Sequence, residues 1–138
     1  MTGETTLSPA DIMAQLPFPA HLGIRLGEAT PRRVAAVLEW APHLCTVAGA
    51  MHGGAITSLA DTVGGVCAYL NLPAGASTTT IDLAVNFFHG VRAGEVHATA
   101  EPLHVGATLI VVQTTLRDSS GTLLARSTQT QAVLRPRA

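Results

Sequence analysis

The sequence predicts an α+β domain, in which one long helix lies against an antiparallel sheet of about five to six strands behind a short N-terminal helix. Three observations predict it. Around residues 53–71, Ile56, Leu59, Ala60, Val63, Val66, Cys67 and Leu70 fall on one face at 100° per residue, as an amphipathic helix requires. Residues 33–40 and 78–88 alternate at period two, as strands do. The four segments after residue 78 are joined by short turns, which reads as an antiparallel meander.

Element by element, residues 1–7 read as a tail. Ser8-Pro9-Ala10-Asp11 is an N-cap, a proline at the first helical position and an acid in the first turn, opening a short helix to about Leu16. Pro17 and Pro19 are expected to end it. Residues 21–28 and 33–40 read as strands around the turn Thr30-Pro31-Arg32. In the second strand Val34, Ala36, Leu38 and Trp40 share a face. Residues 41–51 form a loop into the long helix, which ends near Asn71-Leu72-Pro73. Strands follow over 78–88, 95–105, 107–117 and 123–134, with turns at Arg92-Ala93-Gly94, Gly106 and Asp118-Ser119-Ser120-Gly121. Residues 1–16 are thus tail and short helix, and residues 17–138 one domain.

A chain of 138 residues can bury a sizeable core. Only 12% of residues are charged, against about a quarter in typical domains. So sparse a surface fits one partly covered by a partner subunit. A net charge of −1 argues against nucleic-acid binding, which leaves a basic footprint. Every basic side chain is arginine, so Schiff-base chemistry is excluded. Cys45 and Cys67 form no C-x-x-C pair. No signal sequence or membrane-spanning stretch is evident, and a soluble cytoplasmic protein is the expectation.

The helix face opposite the apolar one carries Gly54, Thr57, Ser58, Asp61, Gly65 and Ala68, small residues around one carboxylate. Each interior glycine costs about 1 kcal/mol relative to alanine, so Gly64 and Gly65 point to a close approach by a ligand or a second helix. Gly53-Gly54 sits where the first amides lack intrahelical acceptors and the helix dipole is positive. An acyl oxygen could approach these amides, as at an oxyanion hole. Gly54 and Asp61 lie seven residues apart, about 10 Å at 1.5 Å per residue. One helix cannot bring both to a single reacting centre. Two antiparallel copies can, so a two-fold dimer with two shared sites is expected.

His52-Gly53-Gly54, with Asp61 nine residues after the histidine, resembles the signature of hotdog-fold acyl-CoA thioesterases. More narrowly it resembles the PaaI-like (phenylacetate-pathway) branch of the 4-hydroxybenzoyl-CoA thioesterase superfamily. Thr80-Ile81-Asp82-Leu83, Arg92-Ala93-Gly94-Glu95 and Leu103-His104-Val105-Gly106 resemble that family's later strand and turns, so the likeness runs from about residue 17 to 134. It implies a hotdog fold and a homodimer, further assembled as a dimer of dimers. It also implies hydrolysis of an aromatic or short-to-medium acyl-CoA without metal or cofactor, coenzyme A being part of the substrate. By the same resemblance, the Gly54 N–H is the oxyanion donor. Asp61, from the other subunit, is nucleophile or general base. Thr80, on the Asp82 face of its strand, lies near the attacking water, and His52 orients the loop or polarises the carbonyl. Gly53, Thr57, Ser58 and Arg92 are the expected substrate contacts. Thr46 stands where many relatives carry Asn, and Ala107-Thr108 where many carry basic residues; Arg92, Arg32 or Arg126 would then meet the phosphates.

Blander readings stand beside these. Asp61 as a structural ion-pair partner and Thr80 as an ordinary strand threonine need no chemistry. His43, His89, His97 and His104 show no metal-ligand spacing. His43 with Cys45 is a weak pattern for a thiol nucleophile. A non-catalytic acyl-CoA or lipid-binding module is the alternative function, with Thr46 in its favour and a retained Asp61 against it. A hotdog dehydratase fits the His52–Asp61 spacing less well.

Overall fold

The computed structural model describes residues 7–137. The elements are α1 (Pro9–Met13), α2 (Pro17–Leu22), β1 (Arg25–Ala29), β2 (Val34–Glu39), α3 (Gly53–Leu70), β3 (Ser77–Phe87), β4 (Glu95–Val105), β5 (Leu109–Arg117) and β6 (Leu123–Leu134). They form one long helix, two short ones and a six-stranded antiparallel sheet in the order β1-β2-β4-β5-β6-β3. The helix α3 packs across the inner face of the sheet, chiefly on β4, β5 and β2. Its Leu59, Ala60, Val63 and Cys67 are sealed against Leu38, Val96, Ile110, Val112 and Leu116. Sheet and helix thus bury a stripe and a face against each other, the two-layer solution an amphipathic helix demands.

Four expectations change. Pro17 and Pro19 open a helix: Pro17 takes the first helical position of α2, where its missing N–H costs nothing. α1 accordingly ends at Met13, and His21 and Leu22, expected in a strand, close α2, after which the chain turns through Gly23 (φ 89°) into a strand that begins only at Arg25. Of the expected tail, residues 1–6 lie outside the described residues, and Leu7 packs against the core. The last four strands are not one meander. β4, β5 and β6 are, but β3 sits beyond β6 as an edge strand. Short connections dictate antiparallel neighbours only where the chain does not cross the sheet's width, and the turn after β3 leads to β4 beside β2.

The loop before α3 is also structured. A 3₁₀ turn, Pro42–Leu44, precedes a Cys45–Met51 bridge, which closes around a second, Val47–Gly49. The Trp40 indole N–H donates to the Gly49 carbonyl at 2.9 Å, tying down the tip.

Candidate active site

His52 precedes α3 with extended backbone (φ −61°, ψ 136°), and its Nδ1 accepts the Gly54 N–H at 2.7 Å. Histidine is therefore the N-cap. A side chain at Gly54 would meet that ring at 2.8 Å, so glycine is required there by the imidazole packed over it. With Nδ1 accepting, the ring proton of neutral His52 lies on Nε2, which makes Nε2 a donor toward solvent. This alters the expected donor set. The Gly54 N–H is already engaged, whereas among the described residues no acceptor receives the Gly53 N–H. The Phe87 ring of β3 lies over Gly53, 3.4 Å from where a Cβ would stand.

Two turns along, Asp61 stands at the rim of an apolar groove of about 370 Å³ between α3 and the N-terminal helices. Ile12, Leu16, Phe18, Val66 and Tyr69 supply much of its wall. The N-terminal segment, expected as a tail and short helix, thus forms half of the groove. Asp61 Oδ1 accepts the Gln129 amide of β6 at 2.8 Å. Although Asp61 is exposed at its outer edge, partial burial pushes its carboxyl above the ordinary aspartate range, and the Gln129 hydrogen bond opposes that shift.

Thr80 reaches the same place for a reason the alternation rule misses. The pairing of β3 with β6 slips between Thr80 and Asp82, leaving Ile81 as an extra residue. The bulge puts Thr80 on the inner face with Leu83 and Val85 and parts it from the Asp82 face to which it was assigned. There Thr80 Oγ1 accepts from Gln131 Nε2 at 2.8 Å and lies 3.4 Å from Gln129 Nε2. One buried amide thereby serves both Thr80 and the Asp61 of the same chain.

The other expected contacts are scattered. Ser58 and Thr62 line the groove with Asp61, their hydroxyls donating back to the helix carbonyls of Gly54 (2.8 Å) and Ser58 (2.7 Å). Thr57 is half-buried. Thr46 and Arg92 are exposed, and Thr46 makes no side-chain cap to the turn it precedes. Arg32 and Arg126 are also exposed. Gly64 is approached by the Gln129 amide from the sheet rather than by a ligand or second helix, and only Gly65 stands open. Ala68, placed on the contact face by helical spacing, is fully buried. Among the described residues no three His, Cys, Asp or Glu side chains gather as metal ligands would, and no helix is long and apolar enough to cross a membrane.

Gln129, Gln131 and Tyr69 were not anticipated. The glutamines left a signal: polar residues at the inward positions of an otherwise apolar strand phase, Ala125, Ser127, Gln129 and Gln131 all being buried.

A family model described as the thioesterase superfamily matches residues 48–125. An inferred esterase of Vibrio cholerae is 34% identical over 117 residues, covering 85% of this chain and 78% of that protein. The 1,4-dihydroxy-2-naphthoyl-CoA hydrolase of Escherichia coli is 33% identical over 86 residues, 62% of this chain and 63% of its own. Among solved structures, a Haemophilus influenzae thioesterase superposes with a TM-score of 0.89 at 26% identity, covering 98% of this chain and 96% of that one.

Proposed function

Because the chain belongs to the thioesterase superfamily and has its hotdog fold, we propose that it hydrolyses acyl-CoA thioesters, as a PaaI-like enzyme with sites shared across a homodimer. The observation that carries this is Asp61: a partly desolvated carboxylate with one oxygen held by Gln129, at the rim of an apolar groove. A groove of about 370 Å³ is at the small end of ligand pockets and suits an aromatic or short-to-medium acyl group.

In the reaction, Asp61 takes a proton from water as the water oxygen bonds to the thioester carbon, the role of a general base. The charge that grows on the carbonyl oxygen needs donors, and the Gly53 N–H and His52 Nε2–H at a helix N-terminus supply them. The carbon–sulfur bond then breaks, and the thiolate of coenzyme A leaves and takes up a proton. No metal or cofactor enters. The helix start and Asp61 are separated by about 10 Å along an unbroken α3, so one chain holds two half-sites. A second copy, pairing through the open edge of β3 and the small-residue face of α3, would join the helix start of one subunit to the Asp61–Thr80 cluster of the other. Exposed Arg92 is a candidate for the coenzyme A phosphates.

The test is thiol release from a panel of acyl-CoAs by the native protein and by Asp61→Asn. Robust release that falls at least about a hundredfold in the variant supports a general base. Binding of acyl-CoA with no release from any member would refute hydrolysis and favour a binding module, the reading that an unengaged Thr46 side chain supports.

A further inference from the structure

We infer that Gln129 is a positioning residue for Asp61: its enclosed amide grips one carboxylate oxygen and leaves the other to meet water. The inference rests on Asp61 acting as proposed above. Its grounds are three features of one contact. Gln129 is completely buried, and its Nε2 lies 2.8 Å from Asp61 Oδ1. Its Oε1 is buried too, with no donor among the described residues. And Oε1 lies against Gly64, where any Cβ would collide with it.

An unpaired amide oxygen in a core is a standing cost, and so is a glycine in the middle of a helix. Turning the amide over would not relieve the first, since Oε1 would then face a carboxylate oxygen, lone pair against lone pair. Ionised Asp61 therefore fixes the amide with nitrogen outward, and Gly64 is the residue that leaves room for the oxygen. The neighbouring Gln131 shows a buried glutamine of this strand that is fully satisfied. Its Nε2 donates to Thr80 at 2.8 Å and its Oε1 accepts from Thr78 at 3.0 Å, so both ends are paired. Gln129 departs from that pattern at its Oε1, which has no donor, while its Nε2 is spent on Asp61. Among the described residues no hydrogen bond reaches Asp61 Oδ2, and Asp61 lines the groove. Oδ1 is thus the anchored oxygen and Oδ2 the reactive one.

Among the described residues the polar groups around Asp61 are few. Gln15, Ser58, Thr62 and Tyr69 line its groove, with Thr80 and Gln129 beneath, and of these Tyr69 alone carries an ionisable proton. A change in the titration of Asp61 on altering Gln129 therefore reads their contact directly.

The experiment follows the Asp61 carboxyl by carbon-detected NMR against pH, beside pH profiles of kcat and KM for thioester hydrolysis. Two variants are used. Gln129→Met keeps the length without a donor. The pair Gly64→Ala with Gln129→Ala refills the vacated space from the helix side, so that packing is kept by a different route. In both, loss of the hydrogen bond to the charged form should move the Asp61 midpoint, and the acid limb of kcat, to higher pH. kcat should fall about ten- to a hundredfold with KM little changed, the pattern of a misplaced reactive group. An Asp61 midpoint that stays at its native value in both folded variants overturns the inference and makes Gln129 a packing residue. A midpoint that moves in a protein that cleaves no thioester upholds the Gln129 contact and refutes the hydrolase reading instead.

Discussion

Gly64 and Gly65 are adjacent in α3, yet alanine should act on them with opposite sign. At Gly65 a new Cβ meets nothing within 4 Å, so the helix gains the full propensity difference, about 1 kcal/mol. At Gly64 the same gain is opposed by a collision with Gln129 Oε1 and, at 2.9 Å, its amide carbon. The glutamine side chain is flexible, but it is fully buried and cannot swing away without releasing Asp61. Overpacking a core costs about 1–3 kcal/mol. The lost bond to a partly exposed carboxylate adds roughly 1.5 kcal/mol, the low end for charged partners. After the propensity gain, Gly64→Ala should be destabilised by roughly 2 kcal/mol. For a domain of this length about 1 kcal/mol corresponds to about 3–4 °C. Thermal unfolding at equal protein concentration should then place Gly65→Ala about 3 °C above the native protein and Gly64→Ala about 7 °C below it. Equal melting temperatures, or the reverse order, would refute the packing argument and the seat it gives Gln129.

Asp61→Asn should melt higher than the native protein at neutral pH. The folded carboxyl holds its proton more tightly than the unfolded one, so the folded state loses stability as pH rises through the interval above 3.8; the melting difference should vanish below that interval. His52→Ala should lose the N-cap and about 1 kcal/mol, and His52→Asn should recover it, a short amide oxygen being a good cap for the Gly54 N–H. Thiol release should return with neither variant if the Nε2–H polarises the carbonyl. The Cys67 thiol is pushed up to about 11, by burial first and by the charge of Glu101 second. Below about pH 9 it should ignore a disulfide reagent in the native protein and react on unfolding; prompt labelling of the folded protein would show the helix–sheet contact to be open.

The long helix and the inner face of β2 were legible because each element's period coincides with a buried stripe, as Val63 and Cys67 or Val34, Ala36 and Leu38 show. Sheet order was not. Nothing local in residues 77–87 says that they pair with β6 rather than β4, because that choice is made by the width of the sheet. Residues 21–24 misled in a different way: Pro17 and Pro19 are as compatible with starting a helix as with ending one. In the site, Asp61 and the HGG turn were readable as residue types at a spacing. Thr80 was assigned the wrong face because strict alternation assumes no bulge, and one extra residue at Ile81 reverses the phase. Gln129 left its mark as a polar residue at an inward strand position, but its partner was not legible, since their contact spans 68 positions of sequence.

The place of β3 at the far side of β6 also bears on how the chain is made. Thr80 pairs with Gln131, 51 residues later, and every strand partner of β3 lies in β6. At about 5–20 residues per second of synthesis, β3 waits roughly 3–10 seconds for the strand that completes it. During that interval the growing chain carries an unpaired β-strand with Ile81 and Phe87 in water, the kind of segment that aggregates or recruits a chaperone. The strand that shapes the reactive cluster is thus one that translation leaves without any strand partner until the last strand is made.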